Sequence, residues 1–394
     1  FGTAKHAVII GIDGLSIRSL HAALASGDAP NLKALRARGA FSDDARCTQP
    51  STSLPNWAST LFSAPPTFHG VHRSQIDDVV RPATFKPHAV WPNLFTAART
   101  RRPGISTAAF YSWPQLAQLL PRGSLNTSTL QSCRGCDECL HVESRLLNAY
   151  TSSLRRSKYA LSWLYFDVLD ECGHERGGKS EAYPALIRRV DSWVRQVLGA
   201  LNAAGIADTT TILIMSDHGR SEPERREHGG FSTDELAVQW LLVGPGIKPG
   251  HQITWPVSIM DGAPTLLHAL GISPPVEFYG RVVLEAFEGA DPGWHAPNAS
   301  AVELTLPVQP GASGGALGWM AGWDGASLLM GGLAGVVFSM GVACAAAAMG
   351  IWPRGRSQAA TRTQAFPYLA SHPAANRLRA AAGEPDQEMQ GLLR

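Results

Sequence analysis

Three apolar, strand-like runs of the sequence each lead into an aspartate. They are HAVIIGI before Asp13, Leu161 to Leu169 before Asp170, and Thr210 to Met215 before Asp217. Helical patterns separate these runs, and strands that alternate with helices predict an α/β fold with a mostly parallel sheet and helices on both faces. The carboxyl ends of parallel strands lie along one edge of the sheet. We therefore expect the three carboxylates to converge.

Histidines accompany two of these aspartates. His174 follows Asp170 by four residues, which is one turn if this loop is helical, while His218 directly follows Asp217 and His228 comes soon after. Carboxylates and imidazoles suit zinc, and this set is large enough for two divalent ions that share ligands. Asp is common in turns after strands, so the prediction depends on the whole order rather than on any one residue.

A candidate nucleophile lies in the segment STSLPNW. Ser53 stands just before a predicted helix, and Pro55 suits the first turn of that helix. A helix N-terminus favours an anion such as phosphate, and a metal-bound serine alkoxide could attack it. Serine is also a common helix cap, so a purely structural role is the alternative interpretation.

Together these motifs resemble the alkaline phosphatase superfamily, and most closely its type I phosphodiesterase/nucleotide pyrophosphatase family. The matching segments are IIGIDG, STSLPNW, HGV at His69, LDECGH, SDHG and the HGG that follows. The resemblance covers residues 6–285 of the chain. It implies an alkaline-phosphatase-like catalytic domain over residues 1–285 and hydrolysis of phosphate diesters of nucleotide or lipid type.

The resemblance also implies a role for each site residue. One zinc ion would be held by Asp13, Ser53, Asp217 and His218, and a second by Asp170, His174 and His228. Ser53 would be the catalytic nucleophile and would form a phospho-enzyme that zinc-activated water then hydrolyses.

The sequence departs from the family on the substrate side. Ser53 replaces the threonine that is common in the nucleotide phosphodiesterases, and HGVHRS has Ser74 where the family has a phosphate-binding asparagine. Ser74 and Arg73 are therefore the candidates for substrate binding. His228 lies close behind SDHG, as in the superfamily's ethanolamine-phosphate transferases, and His251 is the alternative metal ligand.

Several other functions fit parts of this pattern. An ethanolamine-phosphate transferase or a phosphomonoesterase would use the same site. A sulfatase needs a Cys- or Ser-x-Pro-x-Arg element, and Trp57 stands at its arginine position. A catalytically dead adhesion or receptor domain would have lost metal ligands, whereas every expected position here has a suitable residue.

An uncharged segment from Ala326 to Trp352 is long enough to cross a bilayer core of roughly 30 Å. Arginines follow it, which places the C-terminal tail in the cytosol and the catalytic domain outside the cell or in a lumen. We predict a stalk at 286–324, a single transmembrane helix at 325–352 and a cytosolic tail at 353–394. A buried core helix is the alternative for the uncharged segment.

Other features are consistent with passage through the secretory pathway. The chain begins with Phe1, which suggests that a targeting segment was removed or that this is a fragment. Asn126 and Asn298 lie in glycosylation sequons and predict a glycoprotein. A formal charge of +2 and the lack of a basic stripe indicate no nucleic-acid partner.

The middle of the domain is harder to interpret from the sequence. Residues 76–150 are predicted to be irregular apart from a strand-like segment at Gly104 to Trp113, whose aromatic residues either pack in the core or line the substrate pocket. CRGCDEC contains three cysteines that either form a local disulfide or bind zinc, and an oxidising compartment favours the disulfide. Cys47 and Cys172 add two more, so one of the five is expected to be unpaired.

Overall fold

The computed structural model describes residues 1–72, 91–177, 182–221 and 227–290. The chain divides into two units, residues 1–299 and 300–394, and only the first contains described residues. The predicted transmembrane helix and cytosolic tail, and all of the predicted stalk beyond residue 290, lie outside these ranges. Within them, no helix has both the length and the apolar character needed to cross a membrane.

The described residues form eight strands in one sheet. They are β1 (His6–Ile12), β2 (Ala40–Arg46), β3 (Thr107–Tyr111), β4 (Thr127–Leu130), β5 (Leu161–Phe166), β6 (Thr210–Met215), β7 (Ala237–Val243) and β8 (His251–Gln252). The sheet order is β4-β3-β5-β1-β6-β7-β2-β8. Every neighbouring pair is parallel except those of β7, which runs antiparallel to β6 and β2. The mostly parallel sheet is therefore confirmed.

Helices cover both faces of this sheet. They are α1 (Ile17–Ser26), α2 (Pro30–Arg38), α3 (Ser53–Phe62), α4 (Pro66–His69), α5 (Leu94–Arg101), α6 (Cys136–Ser157), α7 (Val168–Arg176), α8 (Ala182–Ala203), α9 (Thr233–Leu236) and α10 (Gly262–Ala269). Side chains alternate along each strand. In β1, Ile9 packs into the core cluster that contains α3, α5 and α10, whereas Val8 and Ile10 pack into the cluster that contains α1, α2, α6 and α8.

Two elements differ from the sequence-based prediction. The strand predicted at Leu161 to Leu169 ends at Phe166, and α7 begins at Val168, so Asp170 lies in the first turn of a helix rather than at a strand end. The region predicted to be irregular contains the 22-residue helix α6. Phe110 and Tyr111, however, are buried on β3, which confirms their place in the core.

Two disulfides attach α6 to its surroundings. Cys133 bonds to Cys139, which confirms a local disulfide, and Cys136 bonds to Cys172 on α7. Cys47 is a buried free thiol. The second bond ties the N-terminus of α6 to the helix that carries Asp170 and His174.

We expect the longer-range disulfide to contribute more to stability. The Cys136–Cys172 bond joins residues 36 positions apart in the sequence, whereas the Cys133–Cys139 bond joins residues 6 positions apart. Chain-entropy arguments give about 4 kcal/mol for the first and about 2 kcal/mol for the second. Urea denaturation of Cys136→Ala/Cys172→Ala should therefore show the larger loss of unfolding free energy, with Cys133→Ala/Cys139→Ala as the matched control. An equal or smaller loss would contradict the expectation.

Candidate active site

The carboxyl ends of three neighbouring strands form the candidate site. β5, β1 and β6 are adjacent and parallel, with Phe166 paired to Ile12 and Gly11 paired to Met215. Asp13 follows β1 directly, and Asp217 lies two residues past the end of β6. Asp170 reaches the same edge from the first turn of α7. The predicted convergence of these aspartates is thus what the structure shows.

Four predicted ligands form a first cluster. Ser53 Oγ lies 3.1 Å from His218 Nε2 and 3.5 Å from Asp13 Oδ1. His218 Nε2 is also 3.3 Å from Asp13 Oδ1 and 3.4 Å from Asp217 Oδ2. Ligands bonded to a tetrahedral zinc ion at about 2.0–2.2 Å are about 3.3 Å apart, so this spacing fits such an ion.

The other three predicted ligands form a second cluster next to the first. Asp170 Oδ2 lies 3.0 Å from His174 Nε2, and Asp170 Oδ1 lies 3.6 Å from His228 Nε2. The two Nε2 atoms are 3.2 Å apart. The rings of His218 and His228 stack with centroids 3.7 Å apart, which connects the two clusters.

Outer hydrogen bonds orient two of these imidazoles. His218 Nδ1 lies 2.9 Å from the backbone oxygen of Gly219, and His228 Nδ1 lies 2.8 Å from that of Ser51. Because a carbonyl only accepts, each Nδ1 must carry the proton and donate it. In the neutral imidazole this leaves the Nε2 lone pair facing the site, which is the usual arrangement of a metal-ligating histidine.

The environment of Asp217 also fits a cation site. Burial, together with the nearby Asp13 carboxylate, raises the pKa of Asp217 well above its usual range. Asp217 Oδ2 is buried and accepts no hydrogen bond. A buried carboxylate oxygen without a donor is costly unless a cation neutralises it. The donor set therefore fits divalent metal ions.

A further carboxylate at this edge was not predicted. Asp167 directly follows β5 and lies within reach of Asp13 and Asp170 in a third group of candidate metal ligands. Burial and the Asp13 carboxylate raise the pKa of Asp167 well above its usual range. The sequence did contain a signal, because Asp167, and not Asp170, is the residue next to the strand.

Two aromatic side chains hold the far oxygen of Asp13. Trp57 Nε1 donates to Asp13 Oδ2 at 2.9 Å, and the Tyr165 hydroxyl donates to the same atom at 2.6 Å. Oδ1 is left to face Ser53 and His218. Trp57 is fully buried, and a Cβ on Gly11 would lie 2.5 Å from its ring. Trp57, which stands where a sulfatase has its arginine, therefore helps to orient the Asp13 carboxylate.

Close approaches explain two glycines of the motifs. Gly14 has φ +64°, and a Cβ there would lie 2.5 Å from Asp170 Oδ1. Gly219 does not have the left-handed backbone of Gly14. A Cβ on Gly219 would instead lie 2.0 Å from the backbone oxygen of Asp234.

Arg220 is a second residue that the sequence did not single out. It directly follows SDHG and is only 3% exposed. One of its Nη atoms donates to both the backbone oxygen and Oδ1 of Asp170. Although burial acts in the opposite direction, the Arg220 guanidinium and His228 hold the pKa of Asp170 well below its usual range.

A buried glutamate on α6 supports the start of α7. Glu143 accepts hydrogen bonds from the hydroxyl of Ser112 and from the backbone N–H groups of Asp167 and Val168. Burial raises its pKa to about 8, although these donors act in the opposite direction. Glu143 thus holds the N-terminus of the helix that presents Asp170 and His174.

This glutamate predicts a specific pH dependence of stability. Its pKa is raised from about 4.5 to about 8 on folding, so its stabilising contribution is complete below pH 4.5 and is lost as pH rises towards 8. We expect Glu143→Gln to lower the unfolding free energy by about 1–3 kcal/mol at pH 5 and to flatten its fall between pH 5 and 8. Urea denaturation across this range measures both effects. Glu138→Gln, an exposed change on the same helix, is the control, and an unchanged pH slope in Glu143→Gln would contradict the prediction.

Some predicted residues are not part of the clusters. His251 lies on the edge strand β8 and belongs to none of the three candidate metal-ligand groups found among the described residues. Of the two alternatives, His228 is the histidine that lies beside Asp170. Arg73 and Ser74 lie outside the described residues, and their substrate-binding role stays a prediction. His69 is buried, donates from Nε2 to Ser59 and accepts from the Val71 N–H, which is a structural role.

Comparison with known families identifies one that spans most of the described domain. The model of the type I phosphodiesterase / nucleotide pyrophosphatase family matches residues 7–245. Among curated proteins, arylsulfatase K of Xenopus laevis is 33% identical over 100 residues, which are 25% of this chain and 19% of that protein. The chain thus matches about a fifth of the length of this relative.

Solved structures show the same fold at low sequence identity. A 2-O glycosaminoglycan sulfatase superposes with a TM-score of 0.60 at 16% identity, covering 75% of this chain and 76% of the other. A murine ectonucleotide pyrophosphatase / phosphodiesterase 5, solved in complex with AMP, gives a TM-score of 0.54 at 14% identity and covers 69% and 96%.

Proposed function

The chain belongs to the type I phosphodiesterase/nucleotide pyrophosphatase family, because that family's model matches more than half of its length, and we propose that it hydrolyses phosphate diesters. Its relatives include hydrolases of phosphoric and of sulfuric esters. The observation that carries the choice of phosphate is the nucleophile segment. A sulfatase would need an arginine at position 57, where a buried tryptophan supports Asp13.

Two zinc ions are the cofactors we propose. Asp13, Ser53, Asp217 and His218 would hold one ion, and Asp170, His174 and His228 the other. When bound, the ions would lower the pKa of the nucleophile and stabilise negative charge on the phosphate. The spacing of the ligand atoms, the inward-facing Nε2 lone pairs and the hydrogen-bond-free Asp217 Oδ2 support this assignment.

In the proposed reaction Ser53 attacks the bound phosphate. It is the first residue of α3, so the helix N-terminus and the N–H groups of Ser53 and Leu54 favour an anion there, while Pro55 has no N–H to offer. The hydroxyl proton of Ser53 can pass to Asp13 Oδ1. It can also pass to His218 Nε2 when the lone pair of that nitrogen is free.

The proposed reaction has two steps. Ser53 Oγ forms a bond to phosphorus as the bond to the leaving oxygen breaks, and the leaving group takes up a proton from water. Water then attacks the same phosphorus, the Ser53–phosphorus bond breaks, Ser53 regains its proton and a phosphate monoester is released.

A comparison of three chromogenic esters tests this proposal. The purified full chain, supplied with zinc, should hydrolyse bis-p-nitrophenyl phosphate faster than p-nitrophenyl phosphate, and p-nitrophenyl sulfate slowest. A chelator should abolish the turnover and added zinc should restore it. Faster sulfate turnover would overturn the proposal in favour of a sulfatase, and faster monoester turnover would favour a phosphatase.

We also propose that the diester substrate is a nucleotide. The AMP complex of the murine structural relative supports this choice, and competitive inhibition by AMP would test it.

We further propose a membrane-anchored, luminal or extracellular location. Two disulfides and the uncharged segment at 326–352 support the location. Protease protection of the ectodomain in intact microsomes would test the topology.

A further inference from the structure

A buried arginine fixes one of the candidate metal ligands from behind. Arg220 is 3% exposed, and charged side chains are seldom buried unless they are paired. Its Nη2 atom donates to the backbone oxygen of Asp170 at 2.7 Å and also to Asp170 Oδ1. Two bonds from one nitrogen to the main chain and the side chain of the same residue restrict the side-chain torsions of that residue.

This restriction determines where the Asp170 carboxylate points. Oδ2 is held 3.0 Å from His174 Nε2, and Oδ1 is held 3.6 Å from His228 Nε2. A carboxylate oxygen has more than one lone-pair direction, so Oδ1 can accept from Arg220 and still face the imidazoles. In the orientation that Arg220 holds, the Asp170 carboxylate and the Nε2 atoms of His174 and His228 all lie close to one another.

Gly173 makes room for this arginine. A Cβ on Gly173 would lie 2.2 Å from Arg220 Nε and 2.3 Å from Cζ. Gly173 lies inside α7 with ordinary helical backbone, where alanine is favoured over glycine by about 1 kcal/mol. The close guanidinium, and not the backbone, therefore accounts for the glycine between Asp170 and His174.

We propose that Arg220 is a positioning residue for the metal ion at Asp170, His174 and His228, and that Gly173 acts only by admitting its guanidinium. This inference rests on the two-ion site of the proposed function. Hydrogen-bond partners behind metal ligands typically change metal affinity by about 10–100-fold. The positive charge of Arg220 acts in the opposite direction, because it repels a cation. Weaker zinc binding after removal of Arg220 would therefore show that positioning dominates, and tighter binding would show that repulsion dominates.

A double-mutant cycle on zinc affinity tests the inference. Competition with a chromophoric chelator would give the dissociation constants of both ions in the wild type, Arg220→Met, Gly173→Ala and the double variant. We expect each single change to weaken the second ion by about 10–100-fold and to leave the first ion within about twofold. In the double variant, alanine at position 173 should add no further loss, because the arginine it would displace is already absent.

Other results would overturn the inference. Tighter binding of the second ion in Arg220→Met would show that charge repulsion outweighs positioning, and equal weakening of both ions would indicate a general structural role. Additive losses in the double variant would give Gly173 a role of its own. Arg220→Lys keeps the charge and one donor group, so it should recover part of the affinity and would show that misfolding of the methionine variant is not the cause.

The proposed function can fail independently of this inference. If the wild type binds two zinc ions but hydrolyses none of the three esters, the phosphodiesterase proposal fails and the affinity cycle still decides the role of Arg220. If diester turnover is observed and Arg220→Met binds zinc like the wild type, only the inference fails.

Discussion

Replacing Ser53 with alanine is expected to reduce diester turnover at least about 1,000-fold. Ser53 begins α3, its Oγ lies 3.1 Å from His218 Nε2, and it is the serine hydroxyl that reaches both Asp13 and His218. Without it, the reaction would depend on direct attack by water. Steady-state hydrolysis of bis-p-nitrophenyl phosphate at saturating zinc measures the loss.

Two companion variants make this result interpretable. Ser152→Ala, an exposed serine on α6, should be indistinguishable from the wild type. Ser53→Thr keeps a hydroxyl at the position where the family commonly has threonine, and it should retain turnover. Zinc content should be measured in each protein, because Ser53 is also a proposed ligand. Turnover of Ser53→Ala above about one hundredth of the wild-type rate would rule out Ser53 as the nucleophile.

Replacing Asp217 with asparagine is expected to have opposite effects on stability with and without metal. Without metal, burial and the nearby Asp13 carboxylate raise the pKa of Asp217 well above its usual range, so the folded protein must either protonate this group or hold an unfavourable charge with one oxygen that accepts no hydrogen bond, and asparagine removes that cost. With zinc, the wild type gains the binding free energy, about 4 kcal/mol at a thousand times the dissociation constant. Asparagine is a poor zinc ligand and should lose most of that gain, together with the turnover.

Thermal unfolding in chelator and in excess zinc tests this reversal. The midpoint of Asp217→Asn should lie above that of the wild type in chelator and below it in zinc. Asp208→Asn, an exposed change just before the other end of β6, should follow the wild type in both conditions. A variant that is less stable than the wild type in both conditions would show that Asp217 has a structural role without a metal.

The sequence was informative where chemistry and local pattern coincide. β1 and β6 are continuous apolar runs, typical of strands buried on both faces, and they lead directly to Asp13 and Asp217. The four-residue spacing of Asp170 and His174 placed both on one face of a helical turn, as observed. The positions of these candidate ligands could therefore be predicted without knowledge of tertiary contacts.

Elements with polar sequences were missed for a physical reason. β2 has the sequence AFSDDAR, whose aspartates disfavour a strand, and its pairing with β7 depends on a register shift between Ser42 and Ala45. Arg220 was missed because arginine is usually exposed, and its contact with Asp170 joins residues 50 positions apart. Neither feature is visible in a local window of sequence.

The packing of Trp57 over Gly11 has an evolutionary consequence. Because a Cβ on Gly11 would lie 2.5 Å from the indole, and because that indole donates to Asp13, positions 11 and 57 are expected to vary together among relatives. A change from the proposed phosphate chemistry to sulfate chemistry through arginine at position 57 would remove the indole's hydrogen bond to Asp13 and leave space above Gly11. A single substitution is therefore a poor route between the two ester classes in this lineage, and compensating changes around β1 would have to come first.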